Sequence, residues 1–408
     1  MMSKHSLIKL GVVTLVAVIA AFAINRSRQP VSEFSNRATP LVAGLGDRVN
    51  DVNRLVLTTA NAGKVVELVR GEKGWSVQER GGYAADVGKL REYLLKLSNA
   101  NLIEQKTANK DRYADLGVSD VSEPAAKGVE VRIEGLDEPF RFIAGIFNAQ
   151  GGGTYVRRSD EAQSWLANGN LIPEQAPADW LKKELADIPA QRIAAVSIVP
   201  AKGKPLRISK QSEDAASYTI ADIPKGREPS SEFAANGPAG VLADLRIEDV
   251  APAAEKPAPD SATRVRYETF DGIVVEALAW QEGDKHYATF DASLDEARAT
   301  AHVESAKPDS AADAAEDEKP ATTETAAEAG ASEAADDAAP AAAPPDPAAD
   351  RAQRMAALRT EVEQLDAAFS GWAFVLPAYK AGNMTKAMDD LLKPLEDASA
   401  KKSADASG

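Results

Sequence analysis

The chain has 408 residues, of which 44% are hydrophobic, a formal net charge of −15 and no cysteine. That length allows two domains with additional segments, and the apolar content is enough to build real cores. The absence of thiols excludes disulfides, thiolate nucleophiles, cysteine-ligated zinc and a lipid-modified N-terminal cysteine, and the absence of a basic surplus argues against a nucleic-acid partner.

Charge is unevenly spread. Between Glu304 and Asp350 there are 13 acids and 2 bases, so most of the net negative charge sits there and the rest of the chain has an ordinary balance.

Residues 7–24 are apolar except for Lys9, Gly11 and Thr14, and Lys4 and Lys9 form a basic leader. The uninterrupted part, residues 10–24, is short for a span, which takes about 20 residues. Lys9 can snorkel to the interface, which brings Leu7 and Ile8 into the segment. Ala21-Phe22-Ala23 has the spacing of a signal-peptide cleavage site, but Arg26 and Arg28 directly behind it disfavour translocation and cleavage. The expectation is an uncleaved transmembrane signal anchor over 1–24, with basic residues on both flanks leaving its orientation open. Residues 25–48 read as a linker that reaches at most ~80 Å, at about 3.3 Å per residue.

From residue 49 a three-strand meander is expected at 53–57, 64–70 and 75–77, punctuated by Asn61-Ala62-Gly63 and Gly71-Glu72-Lys73-Gly74. Asp86 is placed to cap a helix in which Val87, Leu90, Leu94 and Leu97 share one face. Strands follow at 102–105, 129–134, 140–146 and 154–158, with a loop holding Tyr113 to Gly117 and a hairpin turn at Gly151-Gly152-Gly153.

The same order then returns. Strands are expected at 193–199, 206–209 and 217–220, then a short or broken helix after Pro229, capped by Ser230 or Ser231 and anchored by Phe233 and Leu242. Gly237-Pro238 limits that helix. Further strands are expected at 245–250, 264–270, 273–280 and 286–290, with Asp271-Gly272 as a two-residue hairpin. Val56 matches Val196, Trp75 matches Tyr218 and Tyr155 matches Tyr287, at an offset of about 132 to 143 residues, the signature of a duplicated module.

The ends of the copies match as well. Ser164-Trp165, Leu171-Ile172-Pro173 and a short helix around 180–185 correspond to Gly371-Trp372, Val375-Leu376-Pro377 and a helix around 384–392. The second copy is therefore split by an insertion. Residues 296–346 contain no aromatic residue and cannot bury enough apolar surface to offset ordering entropy, so they are expected to be disordered. A solvated spacer is the simpler role, and an acidic arm for a basic partner the alternative. Asp346 and Pro347 open a helix. Its stripe of Met355, Leu358, Val362, Leu365 and Phe369 is expected to pack on the second module rather than form a coiled coil, and Gly371 ends it.

The expected organisation is a transmembrane anchor (1–24), linker (25–48), first α+β module (49–188), first part of the second module (189–295), acidic insertion (296–346), a helix–strand–helix completing the second module (347–396) and a tail (397–408). The fold class is α+β: two tandem copies of a strand-rich meander-plus-helix module, preceded by one transmembrane helix.

Chemistry is harder to place. The three histidines, His5, His286 and His302, are scattered without metal-ligand spacing. No Gly-x-Ser-x-Gly elbow occurs, and the glycine run 151–153 precedes a strand where a phosphate cradle needs a helix N-terminus. Asp86, Asp115 and Asp271 read as cap, loop and turn. Trp75, Trp165, Trp180, Trp280 and Trp372 read as packing residues before a sugar groove. Arg157 and Arg158 alternate across a strand, so only one can face a given pocket.

Gly-x-x-Gly-Trp-x-Val closing the meander, Tyr83-Ala84-Ala85-Asp86 opening the helix and Tyr113-Ala114-Asp115-Leu116-Gly117-Val118 in the loop together resemble domain-of-unknown-function family 4340 of bacteria. Tyr155-Val156-Arg157 and Phe270-Asp271-Gly272 also fit. Ala84 stands where members often carry proline, and Leu116-Gly117 where many have Tyr-Gly-Leu. The resemblance covers about residues 50–290 and the C-terminal tail, and the acidic insertion lies outside the pattern. It implies one N-terminal anchor and an extracytoplasmic domain. Some members are similar in genomic setting to auxiliary proteins of gliding-motility-type ABC transporters, and no catalytic residue carries over.

The expectation is a non-enzymatic accessory or scaffold protein of the bacterial inner membrane, single-pass, with its main domain in the periplasm. Its expected partners are the membrane, through the N-terminal helix, and an inner-membrane protein such as ABC transporter subunits. No nucleic acid, cofactor, metal or catalytic residue is assigned. A glycan- or ligand-binding module of the cell envelope, and an envelope hydrolase using an unrecognised carboxylate pair, are the alternatives.

Overall fold

The computed structural model describes residues 39–305 and 347–394. The anchor expected over 1–24, the linker up to residue 38, residues 306–346 of the acidic insertion and the tail from 395 lie outside the described residues, whereas Glu296–Ser305, expected to be disordered as the start of that insertion, is a helix that buries Ala299 and Val303. Among the described residues no helix is long and apolar enough to cross a membrane. These residues form two compact units, 39–70 with 88–175, and 71–87 with 176–305 and 347–394.

In chain order the strands begin with β1 (Thr39–Pro40), β2 (Arg54–Thr59), β3 (Gly63–Gly71), β4 (Gly74–Val77) and β5 (Tyr83–Ala84). β6 (Asn101–Gln105), β7 (Val129–Glu134), β8 (Phe140–Asn148), β9 (Gly153–Arg158) and β10 (Ser164–Asn168) follow. Three helices fall among them: α1 (Leu45–Arg48), α2 (Val87–Ser98) and α3 (Tyr113–Leu116). The first unit's strands lie in the order β1-β6-β10-β9-β8-β7-β2-β3 with every neighbour antiparallel. Alternation decides which face is inward: in β7 Val129, Val131 and Ile133 are buried while Arg132 between them is exposed. In α2 Leu90, Tyr93, Leu94 and Leu97 are buried at helical spacing, whereas Val87 is 52% exposed and lies off that face. Residues 39–48, at the end of the segment read as a linker, pack into this unit: β1 pairs with β6, and Leu41 and Leu45 are fully buried.

The second unit continues with β11 (Glu184–Ala186), β12 (Ile193–Val199), β13 (Leu206–Ser209), β14 (Thr219–Ile220), α4 (Asn236–Ala239), β15 (Leu245–Arg246) and β16 (Asp249–Pro252). β17 (Thr263–Thr269), β18 (Ile273–Glu282), β19 (Lys285–Leu294), α5 (Glu296–Ser305), α6 (Pro347–Phe369), β20 (Trp372–Leu376) and α7 (Ala378–Met384) complete it. Read from β16, its main sheet runs β16-β20-β19-β18-β17-β12-β13-β14. Strand for strand, β6-β10-β9-β8-β7-β2-β3 of the first unit has the same connectivity. Only residues 159–163 link β9 to β10, while β19 and β20 are joined through α5, residues 306–346 and α6.

A local signature accompanies the topology. Val131-Arg132-Ile133-Glu134 on β7 and Val265-Arg266-Tyr267-Glu268 on β17 occupy corresponding strands. In each the arginine Nε meets the glutamate two residues on, at 2.8 Å in β7 and 2.9 Å in β17.

Several local expectations change. The helix expected around 180–185 is a 3₁₀ turn, Pro177–Trp180, followed by β11. Backbone pairing overrides the helix there, because Asp86 N–H donates to Trp180 O and Lys182 N–H to Ala84 O. After Pro229 only α4 is helical, and Ser230 donates its backbone N–H to Leu391 O instead of capping a helix. Leu242 is buried as an anchor should be, but Phe233 is 55% exposed. The helix expected around 384–392 is α7, ending at Met384, then a 3₁₀ turn, Met388–Leu391. The hairpin at Asp271-Gly272 has a three-residue loop that takes in Phe270, closed by Thr269 Oγ1, which accepts from Ile273 N–H at 2.7 Å. The stripe on α6 turns inward, with Phe369 fully buried against Phe290 at 5.2 Å between ring centroids and the other four residues half-buried.

Candidate functional site

In the first unit a cleft of about 660 Å³ lies between the turn at Val42-Ala43-Gly44 and the β7–β8 hairpin. The β7–β8 connection brings Asp137 and Glu138 to its rim, β8 brings Arg141, and β9 brings Arg158 to its wall. Arg158 donates to the carbonyls of Pro40 at 2.9 Å and Leu41 at 3.0 Å, and to Glu161 Oε1 at 3.0 Å. Arg48 donates to Asp51 at 3.1 Å and Asp137 at 2.5 Å. Its hydrogen bonds to Asp137 and then to Asp51 raise the Arg48 pKa further, so the guanidinium stays charged. Arg141 is exposed at the rim with Glu138 and Asp160. The cleft presents both signs of charge and can receive a polar segment, and among the described residues no histidine lines it.

The buried polar groups serve the fold. Arg157, 6% exposed, donates to Val118 O at 2.9 Å and Glu161 O at 3.2 Å and lies 4.8 Å from the centre of the Tyr113 ring. The Tyr113 hydroxyl donates to Ala162 O. The Tyr113–Val118 loop is thereby clamped onto the sheet, and Gly117, at φ +69°, allows the reversal. Arg157 and Arg158 do point to opposite faces, and only Arg158 reaches the cleft. In the second unit Tyr83 packs edge-on to Trp372 at 5.1 Å, and burial, with Glu184 adding a smaller effect, pushes its phenol up to about 12.

Three further groups were not legible as special residues. Lys380 on α7 is 7% exposed and donates to the carbonyls of Gly240 at 3.2 Å, Val241 at 2.9 Å and Ala243 at 2.5 Å. Burial lowers its pKa, against the pull of Asp244 and Asp187. Arg192 grips Glu361 at 2.8 and 3.1 Å and Asp271 at 2.6 and 3.0 Å, tying α6 to the β17–β18 turn. Asp249 on β16 accepts from Arg80 at 3.2 Å, from Val250 N–H at 2.9 Å and from Lys285 at 3.4 Å. Burial by itself would raise the Asp249 pKa, but these donors outweigh it and hold the carboxyl below its ordinary value. No sequence signal marks these groups, since their charged partners and the carbonyls around Lys380 lie far along the chain.

The residues weighed for chemistry stay apart. His286 lies on β19 opposite Leu376, and His302 on α5. Asp271 sits in its turn, and Asp115, on α3, lies 3.9 Å from Arg112. Asn148 Oδ1 accepts from the N–H groups of Gln150 and Gly151, which makes the glycine run a hairpin turn. Trp180 is 1% exposed, while Trp75, Trp165, Trp280 and Trp372 are half-buried on separate strands. Among the described residues no group of three or more His, Asp or Glu is arranged to hold a metal ion.

Residues 75–264 match the family model described as a domain of unknown function, DUF4340. The matched stretch contains both tyrosine motifs and runs from β4 into β17. No curated protein and no solved structure matches the chain.

Proposed function

We propose that this chain, which carries a DUF4340 domain over residues 75–264, is a membrane-anchored, extracytoplasmic accessory or scaffold protein of the bacterial inner membrane. Subunits of an ABC-type transporter are its candidate partner. The observation that carries this reading is how the motif residues are used. Tyr83 is spent on packing against Trp372, and Tyr113 and Gly117 on holding their loop to the sheet, which suits a rigid binding platform. The apolar residues 7–24 behind a basic leader support the anchor. The two sheets of like strand order, each carrying the Val-Arg-x-Glu ion pair, support two tandem copies of one module, the second split between β19 and β20 by the acidic insertion. Envelope-glycan binding would need aromatic rings gathered on one face, and the tryptophans are dispersed.

The test is cross-linking of the tagged, full-length protein in its native membrane, with captured partners identified by mass spectrometry. Transporter subunits should be recovered, and lost when residues 1–24 are deleted or when Arg141, Asp137 and Glu138 at the cleft are replaced together. Recovery of glycan fragments without a protein partner would overturn the accessory reading.

A further inference from the structure

A groove of about 580 Å³ opens in the first unit between the C-terminal half of α2 and residues 168–174, which continue from the end of β10. Each side contributes one exposed apolar side chain: Leu95 from α2, 43% exposed, and Ile172 from the segment, 37% exposed. Leu95 lies off the helix face that buries Leu90, Tyr93, Leu94 and Leu97, so packing within the unit does not require an apolar residue there. A single exposed leucine is ordinary, but here two apolar walls border one groove.

Three amides line the same groove: Asn99, Asn168 and Asn170. Each is held at one end by backbone. Asn99 Nδ2 donates to Leu95 O at 3.0 Å, Asn168 Oδ1 accepts from Asn101 N–H, and Asn170 Oδ1 accepts from Ile172 N–H at 3.2 Å. A carbonyl oxygen only accepts and a backbone N–H only donates, so these partners fix which way round each amide sits. One acceptor, Asn99 Oδ1, and two donors, Asn168 Nδ2 and Asn170 Nδ2, are left with no protein partner among the described residues.

The rest of the lining narrows the ligand class. Lys96 lies 2.8 Å from Glu92, one turn earlier, so its ammonium is not free to select an anion. The Tyr93 ring is 6% exposed and its hydroxyl donates to Leu171 O at 3.1 Å, which leaves no open ring face there for a sugar. A volume of this size lies within the about 300–1,000 Å³ of ligand-binding clefts.

We propose that this groove binds an extended, uncharged peptide segment of a partner protein. Every peptide unit carries one donor and one acceptor, which match the free ends of the three amides, and one apolar side chain of the segment lies between Leu95 and Ile172. The groove shares no residue with the charged cleft, so peptide binding here is independent of the transporter reading.

The test is NMR of the full-length protein in detergent micelles with isotope-labelled asparagine. The probe is the blocked peptide acetyl-Ser-Ser-Leu-Ser-Ser-amide, titrated to about 5 mM, enough to detect millimolar binding. The side-chain signals of Asn99, Asn168 and Asn170 should move together and saturate. Glycine in place of the leucine should weaken binding by about tenfold. Asn168→Asp and Asn170→Asp each keep the oxygen that the backbone N–H needs and lose the free donor, so each should lower affinity by about tenfold with an unchanged melting temperature. Asn109→Asp, a capping position outside the groove, should bind like wild type. Leu95→Ser, exposed and off the packed face, should erase the preference for leucine over glycine. Unmoved amide signals, equal binding of the glycine peptide, or full affinity in both aspartate variants would overturn the proposal. Movement with an N-acetylglucosamine trimer and not with the peptide would overturn it in favour of a glycan site.

Discussion

Lys380 Nζ lies 2.9 Å from the carbonyl oxygen of Val241, at the centre of a cradle completed by the carbonyls of Gly240 and Ala243. An ammonium held this way substitutes for the backbone partners that the loop after α4 lacks. Lys380→Met keeps the stem and removes all three donors, so it should cost roughly 2–4 kcal/mol, the range for breaking a buried, charge-assisted network. Urea unfolding of the second unit measures this. A loss under ~0.5 kcal/mol would mean that water replaces the ammonium at no cost.

Alkaline stability should depend on Tyr218. Its hydroxyl lies 2.6 Å from Ala190 O and 2.7 Å from Ile193 O, and burial raises its pKa to about 12 from 10.0. Because the folded pKa is the higher one, the contribution is complete below pH 10 and is lost as pH climbs toward 12. Tyr218→Phe should cost about 1 kcal/mol at neutral pH and flatten part of the alkaline fall. Thermal melts from pH 9 to 12 would show both effects.

Asp249 sets an acid limit. Its folded pKa lies below the ordinary 3.8 because Arg80, Val250 N–H and Lys285 outweigh the opposing effect of burial. Its stability contribution is therefore present above that value and lost as pH falls through the depressed pKa. Asp249→Asn should destabilise the protein by roughly 1–3 kcal/mol at pH 7 and show a shallower acid transition. A parallel acid limb in mutant and wild type would count against the assignment.

The loop clamped over the first sheet should tolerate no added methyl group. In Gly145→Ala the new Cβ meets Leu116 O at 2.4 Å and Val118 Cγ1 at 2.8 Å, and a backbone oxygen cannot rotate away. The expected cost is roughly 1–3 kcal/mol, with faster amide exchange at Val118. Gly46→Ala, where nothing lies within 4 Å, should leave both unchanged.

Leu55 on β2 pairs with Ile133 on β7, and Val196 on β12 pairs with Tyr267 on β17, each beside the Val-Arg-x-Glu of its partner strand. Both are buried. Residues 55–57 are all apolar, so alternation in the sequence cannot say which of them faces the core. The charged cleft was equally illegible, since Arg48, Asp137 and Arg158 come from three distant segments.

By itself the sequence determined what depends on neighbouring residues: the strands where side chains alternate, α2 and α6 where apolar residues recur at helical spacing, and the turns where Asn and Gly cluster. Only the tertiary structure decided that residues 180–186 turn and pair as a strand, that the helix after Pro229 shrinks to α4, that Lys380 is a buried anchor and that Arg192 and Asp249 are half-buried ones. Each of those outcomes depends on donors and acceptors supplied from far along the chain, and a hydrogen bond made across the fold outweighs the few tenths of a kcal/mol that local propensity offers a residue.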